Sequence, residues 1–196
     1  ELGDNTAWTN AEIGICYKGL GKYEEALKYY LIANSLDELN EDKNKKIYLL
    51  LDIAYTYEII EKPAEALKYF EQAKKAGRND AGIYLSMAKC FEKLNKNEET
   101  LEYCLITEKF DEYKNNIQLL SRIAALYKEK GEYKKSLEYL KKVERLGRDD
   151  CWLNTEYGFC LMLIQKYKEA IEKYKHALEL KEEINDEIMK IINKKL

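Results

Sequence analysis

The reactive side chains of this 196-residue chain are five cysteines, one histidine and 36 acidic residues. Cysteine and histidine hold zinc when they come in closely spaced sets. Cys16, Cys90 and Cys160 instead occupy one place in three separate segments, where a small apolar residue packs, and His176 stands alone. Five is an odd number, without the spacing of a small disulfide domain, so the thiols read as structural and a reducing cytoplasm is their natural compartment. Paired acids such as Glu24-Glu25, Glu98-Glu99 and Glu182-Glu183 fall on exposed helix positions and read as solvated charge. The sequence has no glycine-rich phosphate loop, no His–Glu metal pair and no histidine beside a nucleophile. It therefore predicts a chain that is not an enzyme, with no catalytic residue, metal or cofactor.

Charge narrows the partners. Basic residues number 33, giving a formal net charge of -3, and the two signs alternate along the helical segments as i,i+4 pairs do. No basic block is present, so nucleic acid is not expected. The longest apolar run, Phe159 to Ile164, is too short to span a bilayer. No signal peptide opens the sequence. Abundant lysine, asparagine, isoleucine and tyrosine point to an AT-rich, bacterial-type genome.

These groups ride on a repeated segment. Gly21-Lys22-Tyr23-Glu24-Glu25-Ala26-Leu27 has equivalents in Lys62-Pro63-Ala64-Glu65-Ala66-Leu67, in Gly131-Glu132-Tyr133-Lys134-Lys135-Ser136-Leu137 and in Lys166-Tyr167-Lys168-Glu169-Ala170-Ile171. A weaker copy begins at Asn97-Glu98-Glu99-Thr100-Leu101. Aligned at Ala26, Ala66, Thr100, Ser136 and Ala170, the copies follow at intervals of 40, 34, 36 and 34 residues. The extra residues fall in Glu41–Lys46 and at Asn115-Asn116, where they lengthen a loop or add a turn to a helix. Apolar spacing of three or four is helical. In the first unit it predicts one helix over roughly 7–20, packed through Ile13, Gly14 and Tyr17, and another over roughly 22–36. The second packs through Tyr23, Ala26, Leu27, Tyr30 and Ala33. Small residues at Gly14, Ala54, Ala88, Ala124 and Gly158 allow two antiparallel helices to approach closely. Gly77 and Gly147 suit left-handed helix ends, Asp80 and Asp150 suit the following N-caps, and Pro63 suits a helix start.

A two-helix unit of 34 residues with small and aromatic residues at these places resembles the tetratricopeptide repeat. The marks are Gly14/Tyr17, Ala54/Tyr57, Ala88/Phe91 and Ala124/Tyr127 on first helices, and Ala26/Tyr30, Ala66/Phe70 and Ala170/Tyr174 on second helices. The resemblance covers 7–184, as repeats 7–40, 47–80, 81–114, 117–150 and 151–184. Residues 1–6 parallel Arg145-Leu146-Gly147 onward and read as the tail of a preceding repeat in a longer array. Residues 185–196, with Ile188, Ile191 and Ile192 at helical spacing, are expected to cap the open end; dimerisation through the same stripe is the alternative. The predicted fold is all-α: an α-α superhelix, or solenoid, of five helix-turn-helix repeats plus a C-terminal capping helix. The chain departs from the family twice. Glu38, Arg78, Glu112, Arg148 and Glu182 stand where its proline is usual, and Trp8 and Trp152 lie two residues before its tryptophan, whose own place holds Asn10 and Asn154.

The resemblance implies a protein-interaction scaffold whose first helices line a concave groove for a peptide or a partner helix. Its groove-facing places are held here by Trp8, Glu12, Ile15, Tyr48, Asp52, Tyr55, Ile59, Lys89, Arg122, Trp152, Glu156 and Phe159. Packing of the two tryptophans within or between repeats is the alternative. The clamp by which some members grip a C-terminal carboxylate is absent, since its places hold Ala11, Ile15 and Asp52. Two other functions stay open: a regulatory or docking domain of a larger enzyme or transcription regulator, and a self-assembling repeat. A monomer is expected, with an end-to-end or C-terminal-helix dimer as the alternative.

Overall fold

The computed structural model describes residues 6–36 and 42–193, with side chains described as far as residue 181. Ten helices fill these residues and no strand occurs among them: α1 (Ala7–Gly19), α2 (Tyr23–Ser35), α3 (Lys43–Ile59), α4 (Pro63–Lys75), α5 (Ala81–Lys93), α6 (Asn97–Glu108), α7 (Ile117–Glu129), α8 (Tyr133–Arg145), α9 (Cys151–Leu163) and α10 (Tyr167–Asn193). They divide within α6 into two compact units, Glu1–Tyr103 and Cys104–Leu196.

In the first unit α1 packs on α2, α3 on α4, and each second helix on the first helix that follows. Gly14 makes the first hairpin possible: the ring of the fully buried Tyr30 lies where a side chain would stand. Beyond each pair of small residues the first and second helices are joined by stacked rings, Tyr17 on Tyr29 at 5.4 Å and Tyr57 on Tyr69 at 5.6 Å. Phe91 meets Tyr103 in the same register at 5.2 Å. The turn inside each hairpin needs one residue with positive φ, which glycine supplies without a steric penalty at Gly21 (72°) but Glu61 (58°) and Asn95 (56°) must adopt against it.

First helices begin on side-chain caps. Thr6, Asp42 and Asp80 each accept from the backbone N–H three residues on, which satisfies one orphan donor of the helix end. Asp42 also settles what the extra residues before the second copy do. The polar segment adds a turn to α3, which starts at Lys43 and runs 17 residues; residues 37–41 lie outside the described ones, as do residues 1–5 of the expected preceding tail.

The second unit repeats the scheme in α7–α8 and α9–α10. Asn116 and Asp150 cap α7 and α9, Gly131 and Gln165 take the positive φ of the turns, and Tyr127 stacks on Tyr139 at 5.6 Å. Gly158 again admits a ring, that of Tyr174. The segment from Asn185 is not a helix of its own. It continues α10 to Asn193 without a break, because neither glycine nor proline falls between Tyr167 and that point. Its side chains, and residues 194–196, lie outside the described ones, so its capping role rests on the sequence.

The expectation for the cysteines holds at two places of three. Cys90 and Cys160 are fully buried, and burial pushes the Cys90 thiol up to about 12 and the Cys160 thiol upward as well, which leaves them unreactive. Cys16 is exposed, because no other described helix covers that side of α1.

Candidate binding cleft

The register that buries one side of α1 and α3 leaves Trp8, Glu12 and Ile15 of α1, and Tyr48, Asp52 and Ile59 of α3, on the opposite side. Trp8 is 53 % exposed, Tyr48 61 % and Ile15 46 %, large values for side chains that gain by leaving water. Trp8, Ile15 and Tyr48, with Ala11 and Leu49, wall a cleft of about 230 Å³ between the two helices; Glu12, Lys45 and Asp52 complete its lining. The surface of this cleft is overwhelmingly apolar, and its charges stand around it.

Those charges are partly answered. Lys18 donates to Asp52 at 2.8 Å. The Lys45 ammonium lies 5.3 Å from the Trp8 ring centre and 3.5 Å from the half-exposed Asp42. Glu12 is exposed and forms no ion pair among the described residues. Lys45 was not singled out by its sequence; it sits in the turn that the extra residues add to α3.

Three of the expected groove residues of this unit fall outside the cleft. Tyr55 is half-buried, its ring edge-on to Phe70 at 5.2 Å, so much of its surface belongs to hairpin packing. Burial raises its phenol, which Ser86 partly offsets by a hydrogen bond. Ile59 is exposed near the end of α3, and Lys89 is exposed on α5.

In the second unit Arg122 is half-buried on α7, and α9 carries Trp152, Glu156 and Phe159. Here the chain answers its own groups. The Arg148 guanidinium lies 4.4 Å from the Trp152 ring centre, its Nε donates to Asp150 at 2.7 Å and its NH1 to Ser121 at 3.0 Å. Lys128 pairs with Glu156 at 2.6 Å and lies 5.6 Å from the Phe159 ring centre. Trp152 and Phe159 remain partly exposed. Neither tryptophan is wedged between helices. The buried place two residues on holds Asn10 and Asn154, whose amides donate to Thr6 O at 2.9 Å and to Asp149 at 2.6 Å.

Sequence reasoning missed the role of the arginines that replace the usual proline. Arg78 pairs with Asp80 and Arg148 with Asp150, each tying a left-handed glycine turn, Gly77 (φ 104°) or Gly147 (φ 90°), to the next helix cap. The Arg-x-Asp spacing after a glycine was the available signal. Among the described residues no three His, Cys, Asp or Glu side chains gather as a metal site, and no helix is long and apolar enough to cross a membrane.

Comparison with known proteins adds a family to this geometry. Two sequence profiles for the tetratricopeptide repeat match residues 5–79 and 117–150, together more than half of the chain. A curated relative, tetratricopeptide repeat protein 8 of Caenorhabditis elegans, is 24 % identical over 170 residues, which cover 87 % of this chain and 32 % of that protein. The chain thus spans about a third of that relative's length. Among solved structures, MamA has a TM-score of 0.71 at 17 % identity, over 94 % of this chain and 96 % of its own. YrrB, described as a TPR protein with an unusual peptide-binding site, has a TM-score of 0.72 at 18 % identity, over 99 % and 94 %. At such identities the likeness shows the fold alone: an all-α helical repeat of the α-α superhelix class.

Proposed function

Since this chain belongs to the tetratricopeptide repeat family, we propose that it is a non-catalytic interaction scaffold that holds a peptide segment or a partner helix against its first helices, with the α1–α3 cleft as its best-formed site. One observation carries this reading: Trp8, Ile15 and Tyr48 stand exposed around a single apolar cleft of about 230 Å³. Burying side chains of this size is what a ligand gains there, and tryptophan or tyrosine anchors in such places are typically worth ~2 kcal/mol or more each. The peptide-binding site of YrrB supports the class of ligand. The patch around Trp152 and Phe159 is a secondary contact surface, since Arg148 and Lys128 already occupy much of it. Free thiols at all five cysteines suit a reducing compartment.

A second reading is favoured by the nematode relative, of which the chain covers only 32 %: these hairpins serve as the docking part of a larger protein, with any chemistry elsewhere in it. Both readings place the ligand in the same cleft.

Random peptides displayed on phage and selected on the wild-type chain test the cleft. Peptides that bind the wild type and not a Trp8→Ala/Tyr48→Ala variant of equal helicity are expected. Peptides that bind both chains equally would overturn the assignment.

A further inference from the structure

We infer that the α1–α3 cleft selects a segment in which an arginine or lysine adjoins an aliphatic side chain, with the cation seated between the Trp8 ring and the Glu12 carboxylate. The inference rests on the peptide reading above and names what that site prefers.

Three charged side chains line the cleft: Glu12 of α1, and Lys45 and Asp52 of α3. Asp52 is committed to Lys18 at 2.8 Å, so the two cancel. Lys45 is held only weakly. Besides the Trp8 ring its tie is an i,i+3 pair with Asp42, both about half-exposed, and pairs of that kind contribute little. Its position nonetheless reports what the indole face accepts, a cation. Glu12 is then the carboxylate left to meet a ligand, and it stands one helical turn from Trp8.

The second unit meets the two groups with separate cations of its own: Arg148 at Trp152, and Lys128 at 2.6 Å from Glu156, the residue in register with Glu12. Trp152, in register with Trp8, carries a guanidinium at 4.4 Å whose Nε donates to a carboxylate, Asp150, at 2.7 Å. In the first copy the residue in register with Arg148 is Asp4, so the chain provides no guanidinium for Trp8 by that route. An arginine of the ligand takes that place, because its planar fork can stack on the indole while donating to Glu12. Beside it the cleft, walled by Ala11, Ile15, Tyr48 and Leu49, is smaller than a drug-sized pocket and suits one side chain of the leucine or methionine class.

Fluorescence anisotropy with three labelled peptides tests this. They share an alanine–serine–glycine background and carry Leu-Arg, Leu-citrulline or Leu-Glu; citrulline keeps the shape of arginine and removes its charge. The Leu-Arg peptide is expected to bind at least ~10-fold tighter than the Leu-citrulline one, as a charge-assisted pair at a partly desolvated site allows. Glu12→Gln should erase most of that advantage, and Glu12→Lys should reverse the order in favour of Leu-Glu. Equal binding of all three to the wild type, lost on Trp8→Ala, would overturn the charge selection and leave the peptide reading standing. Binding that survives Trp8→Ala, or no binding by these or by phage-selected peptides, would overturn both.

Discussion

Replacing Gly14 by alanine should destabilise the first hairpin, although the same change in most helices does the opposite. In an unobstructed helix interior Gly→Ala stabilises by about 1 kcal/mol. Here a β-carbon at Gly14 would lie 2.6 Å from both Cδ1 and Cε1 of Tyr30, closer than carbon atoms pack. The Tyr30 ring has no exposed surface and cannot swing aside without opening the helix pair. Overpacking of a filled core typically costs ~1–3 kcal/mol, so the clash outweighs the propensity gain and the net loss should be about 1 kcal/mol. Urea denaturation followed by circular dichroism would report it as a lower midpoint with an unchanged slope. Elsewhere this place holds alanine, Ala54 in register with Phe70 and Ala124 in register with Leu140, and a smaller or displaced facing side chain leaves room for the β-carbon. A Gly14→Ala/Tyr30→Leu double variant should therefore lose less than the two single losses added together. A Gly14→Ala protein more stable than the wild type by about 1 kcal/mol would refute the packing argument.

Other perturbations follow from the same geometry. The Tyr30 hydroxyl is buried without a hydrogen-bond partner among the described residues, and burial raises its pKa; Tyr30→Phe should be neutral or stabilising by ~1 kcal/mol in urea denaturation. Gly131 has φ 79°, so Gly131→Ala should cost about 1 kcal/mol, whereas Glu61→Gly, which relieves φ 58° at the equivalent turn, should match or exceed the wild type. His176 lies 2.9 Å from Asp149 and 3.5 Å from Glu179. The hydrogen bond to Asp149 holds the imidazolium above its usual range, and that bond holds the Asp149 carboxyl below its own. The histidine contribution is then complete below its unfolded value of 6.5 and disappears as pH rises through the higher folded value. The carboxylate contribution disappears on acidification through its lowered folded value. Denaturation midpoints should fall as pH rises past 6.5, and His176→Gln should flatten that fall.

Much of the fold was legible because each unit obeys local rules. The glycines and alanines at 14, 54, 88, 124 and 158 mark helix contacts by size alone, and Gly77 with Asp80 spells a helix stop and the next start in four residues. What stayed hidden depends on which of two compatible local conformations the chain takes and on where long side chains reach. The polar run before α3 is compatible with loop or helix until Asp42 is seen accepting from Lys45. The run after Leu178 lacks a stop signal, but only the backbone shows that α10 passes through it. At the candidate site, the helical register put Trp8, Glu12, Ile15, Tyr48 and Asp52 on one side, and these residues line one cleft. The same register could not reveal that Tyr55 turns its edge to Phe70, or that Arg148 and Lys128 reach across to Trp152 and Phe159. Those are choices of long side chains, which periodicity does not encode.

The central claim is that a ligand segment lies against Trp8. With Trp152→Phe, indole emission comes from Trp8 alone, since the chain has two tryptophans. Titrating a phage-selected peptide that lacks tryptophan into this variant should shift the emission to the blue and saturate with the affinity measured by anisotropy. Saturable binding with unchanged Trp8 emission would contradict the account.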